Sequence, residues 1–433
     1  MIDQVARTAV LESPPPVADE PAPSRQAVPP RGRSRSASLA WLRREILLGQ
    51  TPRDYLKSLV TPFNIVAALI LCVGIPVTIV RFTQGLAATT NLTDATPWGL
   101  WIGFDVLCGV ALAAGGFVMA SAVHLFGLHD YKPLVRPAIL TGFLGYFFVV
   151  IGLLFDLGRP WRLPYPLFIS PGVTSVMFEV AWCVALYLTV QLLEFCPAAF
   201  EWLGWRSCRQ WAVWMTVGLT VFGVLLSTLH QSALGGLFLM APGKIHPLWY
   251  SPYIPVLFFA SAVAAGISMV VFESMLSHRV FQEARHSRAR MDRLTLGLGK
   301  AAAVVLMVYF GLKWLALAHG QQWRLLLTPY GYWWLLEVLG FILLPCLLNA
   351  YAVRNRRAGL VRFACVITVL GIVLNRLNIS IITYHWNAAE RYIPDWKEFA
   401  ITIMIVTLGL LSFRSIVNRM PVLNDHPDFE PAH

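Results

Sequence analysis

Ten apolar runs, each long enough to cross a lipid bilayer, constrain this chain more than any other feature. At 1.5 Å per residue a helix needs about 20 residues to span a hydrocarbon core of roughly 30 Å. Runs of that kind lie at about 62–80, 100–126, 136–157, 173–194, 211–229, 253–276, 300–318, 332–352, 363–382 and 398–417. Backbone amides in hydrocarbon must find partners within the protein, which restricts spanning segments to helices or closed barrels. The runs therefore predict an all-α polytopic membrane protein. A charged fraction of 13 % against 57 % hydrophobic residues excludes a soluble enzyme or a disordered scaffold for the bulk of the chain.

An even number of spans puts both termini on one side, and the basic residues choose that side. Of the 34 Lys and Arg, 25 fall in the N-terminal segment, the even-numbered loops with the helix ends beside them (Arg136, Lys300, Arg414), and the tail, and such residues are retained in the cytoplasm. The expectation is a bacterial inner (cytoplasmic) membrane protein with both termini cytoplasmic. Topology and anionic lipid account for the net charge of +11 better than nucleic acid does. Four segments follow: a disordered basic cytoplasmic tail over 1–38, a juxtamembrane amphipathic segment over 39–60, a ten-helix transmembrane domain over 61–418, and a cytoplasmic tail over 419–433. No apolar core precedes residue 60, so no signal peptide is expected.

Seven cysteines are present and none forms a C-x-x-C pair. An iron–sulfur or structural zinc site needs several thiolates close together, so these cysteines read as small buried hydrophobes. The histidines fit haem poorly: His124, His230 and His319 lie toward span ends and the others mostly in loops, whereas a transmembrane b-type haem needs axial ligands facing each other inside a bundle. No metal site, haem or iron–sulfur cluster is expected in this chain.

Ionisable groups inside a span are costly and are functional candidates by default. In the first helix group Asp105 follows Trp98 and Trp101 into the second span, and at 1.5 Å per residue it is expected about 10 Å below the interface. Glu179 is expected at similar depth in the fourth span, Tyr146 near the middle of the third, and His230 at the end of the fifth. These placements predict one polar pocket in the periplasmic half, where a buried carboxyl can take up and release protons. The second group holds Lys313, Glu337, Asn375, Arg376 and Asn378; its opposite signs point to structural ion pairing. Spans two to five and six to nine then read as two four-helix bundles, with peripheral helices beside them.

Several ordered motifs carry a resemblance: Pro97-Trp98-Gly99-Leu100-Trp101 through Asp105, Asp156-Leu157-Gly158-Arg159-Pro160-Trp161, Ser175-Val176-Met177-Phe178-Glu179, Thr228-Leu229-His230-Gln231-Ser232 and His246-Pro247-Leu248-Trp249. Together they resemble the NrfD/PsrC (polysulfide reductase) family of membrane subunits over about residues 60 to 420. The resemblance implies a haem-free, quinone-reactive subunit, itself non-autonomous, with menaquinone or ubiquinone as substrate. It implies as partners a periplasmic ferredoxin-like iron–sulfur subunit and a catalytic module, here nickel–iron hydrogenase large and small subunits. It assigns proton transfer to Glu179 and Tyr146, and a quinone site to Trp101, Asp105 and His230. His124 and Glu194, at cytoplasmic ends, are candidate intake groups for a transmembrane relay.

Two other classes compete. A secondary transporter also buries acids at mid-depth and often breaks its helices, which the glycine-rich stretch 109–116 permits. A passive anchor would keep the helices without any quinone chemistry.

Overall fold

The computed structural model describes residues 47–94, 96–280, 288–388, 391–423 and 429. Residues 1–38, and 39–46 of the expected amphipathic segment, lie outside them. Among the described residues ten helices have the length and apolarity of membrane spans: α1 (Pro62–Gln84), α2 (Trp101–Leu125), α3 (His129–Asp156), α4 (Val176–Leu203), α5 (Arg206–Leu239), α6 (Ile254–Val280), α7 (Arg288–His319), α8 (Pro329–Arg354), α9 (Ala358–Ile382) and α10 (Trp396–Val417). The chain is an all-α polytopic membrane protein.

Local chemistry explains where several spans begin and end. Thr61 caps α1 by accepting from the Asn64 amide, with Pro62 in the first turn where its missing N–H costs nothing. Asp395 and Glu398 form a reciprocal capping box at the start of α10. Gly204 ends α4 in the left-handed region, at φ 73°, where a side chain would be strained. The carbonyls at the end of α3 are met by a neighbour: Arg81 of α1 donates to Phe155 O at 2.7 Å and Leu157 O at 2.8 Å.

Helices α2–α5 pack as one four-helix unit and α6–α9 as another, with α1 and α10 paired at the side and resting on α3. In an apolar 18-residue stretch of α2, 78 % of the residues are buried, against only 17 % in one of α1, which marks α1 as peripheral. The two units meet closely where α2 crosses α6, because a Cβ on Gly266 would stand 2.8 Å from the Ala114 carbonyl carbon. Beside this crossing α2 is interrupted at Ala113 and Ala114.

The spans differ from the expected runs chiefly at their ends, where polar residues continue a helix beyond the apolar stretch. Helix α7 starts at Arg288 rather than 300, and α5 runs to Leu239 rather than 229. Helix α4 begins later than its apolar run, at Val176. In the tail, Val422 is buried against α3 and α4, and Arg136 donates to Pro421 O at 2.9 Å.

Candidate functional site

The interior of the first unit holds a chain of neutral polar groups. Tyr146 of α3 and His230 of α5 are fully buried, and the tyrosine hydroxyl meets His230 Nδ1 at 3.2 Å. The Tyr146 ring stands edge-on to Tyr187 of α4, with centroids 4.6 Å apart. Gln191, one turn along α4, donates to the Tyr187 hydroxyl at 3.0 Å. Small residues make the space: the Gln191 amide nitrogen lies 2.5 Å from where a Cβ on Gly142 would sit.

Three buried atoms around this chain have no hydrogen-bond partner among the described residues: His230 Nε2, Ser227 Oγ and Gln191 Oε1. Buried polar atoms in native proteins are almost always satisfied, so a cluster of open valences beside a tyrosine–histidine pair is a receptive site. It can bond a polar ligand and carry a proton between hydroxyl and imidazole. Gln231, next to the histidine, donates to Val110 O at 3.1 Å and so occupies a carbonyl at the interruption of α2.

The five expected site residues do not come together. Tyr146 and His230 do. Trp101 and Asp105 are buried, but α10 holds them: Trp101 donates to Glu398 O at 3.3 Å, and Thr402 donates to Asp105 at 2.9 Å. Asp105 also packs on α3, where a Cβ on Gly152 would stand 2.9 Å from its own Cβ. Among the described residues no hydrogen bond or ring contact joins either to His230. Glu179 stands in the first turn of α4 and is exposed, so the expected depth was too great; the apolar run 173–194 includes loop residues that precede the helix. The single periplasmic pocket of the sequence reading becomes a buried pair, a separate α2–α10 contact and a rim carboxylate.

Sequence reasoning missed two contributors to this site, Tyr187 and Gln191, and one buried acid away from it. Glu273 of α6 is buried with Oε1 unpartnered among the described residues, and an acid inside an apolar run was the available signal. Tyr187 and Gln191 sit in an apolar stretch, and only the packing of α3, α4 and α5 turns them toward Tyr146. Of the suggested intake groups, Glu194 accepts from Thr220 at 3.1 Å.

The second unit contains a saturated network. Glu337 Oε1 accepts from Lys313 Nζ at 3.0 Å and Asn375 at 2.7 Å; its Oε2 accepts from Trp249 at 2.7 Å and Asn378 at 2.5 Å. Arg376 donates to Asn375 Oδ1 at 3.0 Å, Phe258 O at 3.1 Å and Ser261 Oγ at 2.8 Å, and its guanidinium lies 3.7 Å from the Phe258 ring centroid. The expected ion pairing is present. Above it, in the α5–α6 loop, His246 sits among Tyr330, Trp386 and Trp249 at centroid distances of 4.6, 4.9 and 5.7 Å. Burial there pushes its imidazole down to about 4, so it is neutral at physiological pH. Burial likewise raises the phenol of Tyr392, which stays protonated and donates a hydrogen bond to the Glu398 carboxylate.

These features define a polytopic membrane subunit with a tyrosine–histidine site in one helix unit and an ionic network in the other. The family model for polysulphide reductase NrfD matches residues 88–385, and the chain belongs to that family. It is 52 % identical over 383 residues to a protein of Nitratidesulfovibrio vulgaris, covering 87 % of this chain and 98 % of that one. It is 32 % identical over 363 residues to the probable Ni/Fe-hydrogenase 2 b-type cytochrome subunit of Escherichia coli, with 81 % and 91 % covered. The menaquinone reductase integral membrane subunit of Nitratidesulfovibrio vulgaris is 26 % identical over 373 residues, with 78 % and 86 % covered.

The cytochrome in one of those names calls for a test of fit. A b-type haem needs facing axial ligands. His230, the one histidine deep in a span among the described residues, turns Nδ1 to a tyrosine. Every other described histidine stands at a helix end or in a loop, so the described residues do not form a bis-histidine site.

Proposed function

We propose that this chain is the quinone-reactive membrane subunit of a respiratory oxidoreductase complex in a bacterial inner membrane, of the nickel–iron hydrogenase type, with both termini cytoplasmic. Electrons reach it from a periplasmic ferredoxin-like iron–sulfur subunit, and menaquinone or ubiquinone is reduced at the membrane. The observation that carries the reading is the buried Tyr146–His230 pair with its unpartnered His230 Nε2. Reduction of a quinone consumes two electrons and two protons. Tyr146 holds a proton at its hydroxyl and His230 offers an acceptor beside it, as a proton-coupled reduction requires. Glu179, exposed at the start of α4, serves as the group that exchanges protons at the rim. Trp101 and Asp105 support the site through the α2–α10 contact.

The relatives named for hydrogenase and menaquinone reductase support the complex and the substrate class. The excess of Lys and Arg on one side supports the orientation. The test is co-purification followed by turnover. The tagged chain should bring down an iron–sulfur subunit and retain quinone, and Tyr146→Phe should assemble normally while losing most quinone reduction. Normal quinone reduction by an assembled Tyr146→Phe complex overturns the site.

One observation favours a second reading. Helix α2 breaks at mid-length, as transporter helices do around a midplane site. Substrate flux in vesicles, with no bound quinone and no iron–sulfur partner, would decide for a secondary transporter; a partner without quinone would decide for a passive anchor.

A further inference from the structure

Where α6 ends and α7 and α9 begin, the three helices enclose an open cleft of about 640 Å³. Its polar wall carries Arg279, Arg288, Arg362 and His278, and its apolar wall Met275, Phe363 and Val366. Arg362 is paired with Asp292 at 2.5 Å. Among the described residues no ion pair reaches Arg279 or Arg288, and both are exposed. Among the described residues, then, two guanidinium groups of the cleft have no acidic partner.

Its position adds a second constraint. Leu276, Val280 and Phe363, beside the cleft, expose 43 %, 53 % and 57 % of their surface, and on membrane-spanning helices such faces lie against acyl chains. The arginines stand at the ends of α6 and α7, and charged residues at the ends of spanning helices reach the headgroup region. A cleft with paired guanidinium groups at headgroup depth and an apolar wall running toward the bilayer centre matches one ligand chemistry: a phosphodiester attached to fatty chains. Guanidinium donors bind phosphate oxygens with matched fork geometry, and basic pockets between spans bind anionic headgroups in this way.

We propose that this cleft is a specific site for one anionic phospholipid, with Arg279 and Arg288 holding its phosphodiester and Met275, Phe363 and Val366 flanking an acyl chain. The bound lipid ties the end of α6 to the starts of α7 and α9. A free phosphate ion would leave the apolar wall unused, which is why the lipid is favoured.

The experiment uses the full-length chain purified in detergent, stripped of lipid, and titrated with phosphatidylglycerol, phosphatidylcholine or inorganic phosphate. Bound lipid is counted by native mass spectrometry and thermal stability is followed in parallel. The expected result is one tightly held phosphatidylglycerol per chain, a raised Tm with that lipid alone, and about tenfold weaker retention in R279Q/R288Q. The paired control R354Q/R356Q, at the same membrane face but outside the cleft, should retain lipid as the unchanged chain does. Undiminished retention by R279Q/R288Q overturns the proposal. So does equal retention of phosphatidylcholine, a phosphate ion that stabilises as well as the lipid, or an equal loss in the control. Because neither arginine bonds another described residue, the lipid-free variant should melt with the lipid-free parent, which separates loss of the ligand from loss of the fold.

Discussion

Each four-helix unit holds one polar network, around Tyr146 in the first and Glu337 in the second, and the two networks are bonded in opposite ways. In α6–α9 each oxygen of Glu337 accepts two hydrogen bonds, and Lys313 and Arg376 sit within the same network. Around Tyr146 in α2–α5 the buried groups form no ion pair among the described residues, and several are unsatisfied, His230 Nε2 and Ser227 Oγ among them. Saturation makes a network rigid and leaves it nothing to offer a ligand. Open valences cost stability, and a protein keeps them where something binds or a proton moves. Charge count alone would have pointed to the Glu337 network; bonding state points to the Tyr146–His230 group.

The largest effect should come from the saturated unit. Glu337→Gln removes the carboxylate that faces two buried cations, and stranding such charges costs about 3–5 kcal/mol. Loss of assembled protein in the membrane, or a large drop in Tm, is the expected outcome; near-normal yield would show that the network is not the lock its geometry implies. Tyr146→Phe should do the reverse, leaving Tm within a few degrees and cutting quinone reduction by about a hundredfold, the usual scale for losing a positioned proton donor.

Glu179→Gln should act more weakly, slowing turnover a few-fold, because an exposed carboxylate at a helix start shares its role with water. Native turnover in an assembled Glu179→Gln complex would remove it from the relay. Smallest is the His246 effect. The folded imidazole titrates near 4 against 6.5 for the free group, so the unfolded chain binds the proton first and stability falls as pH drops from about 6.5 toward 4. Between pH 7 and 6 the loss is about 0.7 kcal/mol, and His246→Asn should flatten that slope in thermal melts.

Much of the second unit was legible in the sequence. Lys313, Glu337 and Arg376 stand out in apolar runs, and opposite charges in hydrocarbon must pair, so their association follows from desolvation alone. The first unit was only partly legible. Tyr146 and His230 were found, but Asp105 and Glu179 were grouped with them on depth, and depth says nothing of azimuth. Asp105 turns toward Thr402 of α10, while Glu179 rides the first turn of α4 because that helix starts at Val176. Glu273 was overlooked although it stands as a lone acid within α6.

What the amino-acid order determined unaided is the number of spans, their all-helical character and the family, because the bilayer admits few backbone solutions and a run of apolar residues reports which one is used. Tertiary packing alone decided which polar side chains meet. Rotation of each helix about its axis selects its neighbours, and that rotation is set by close contacts such as Gly266 on Ala114, which no single run encodes.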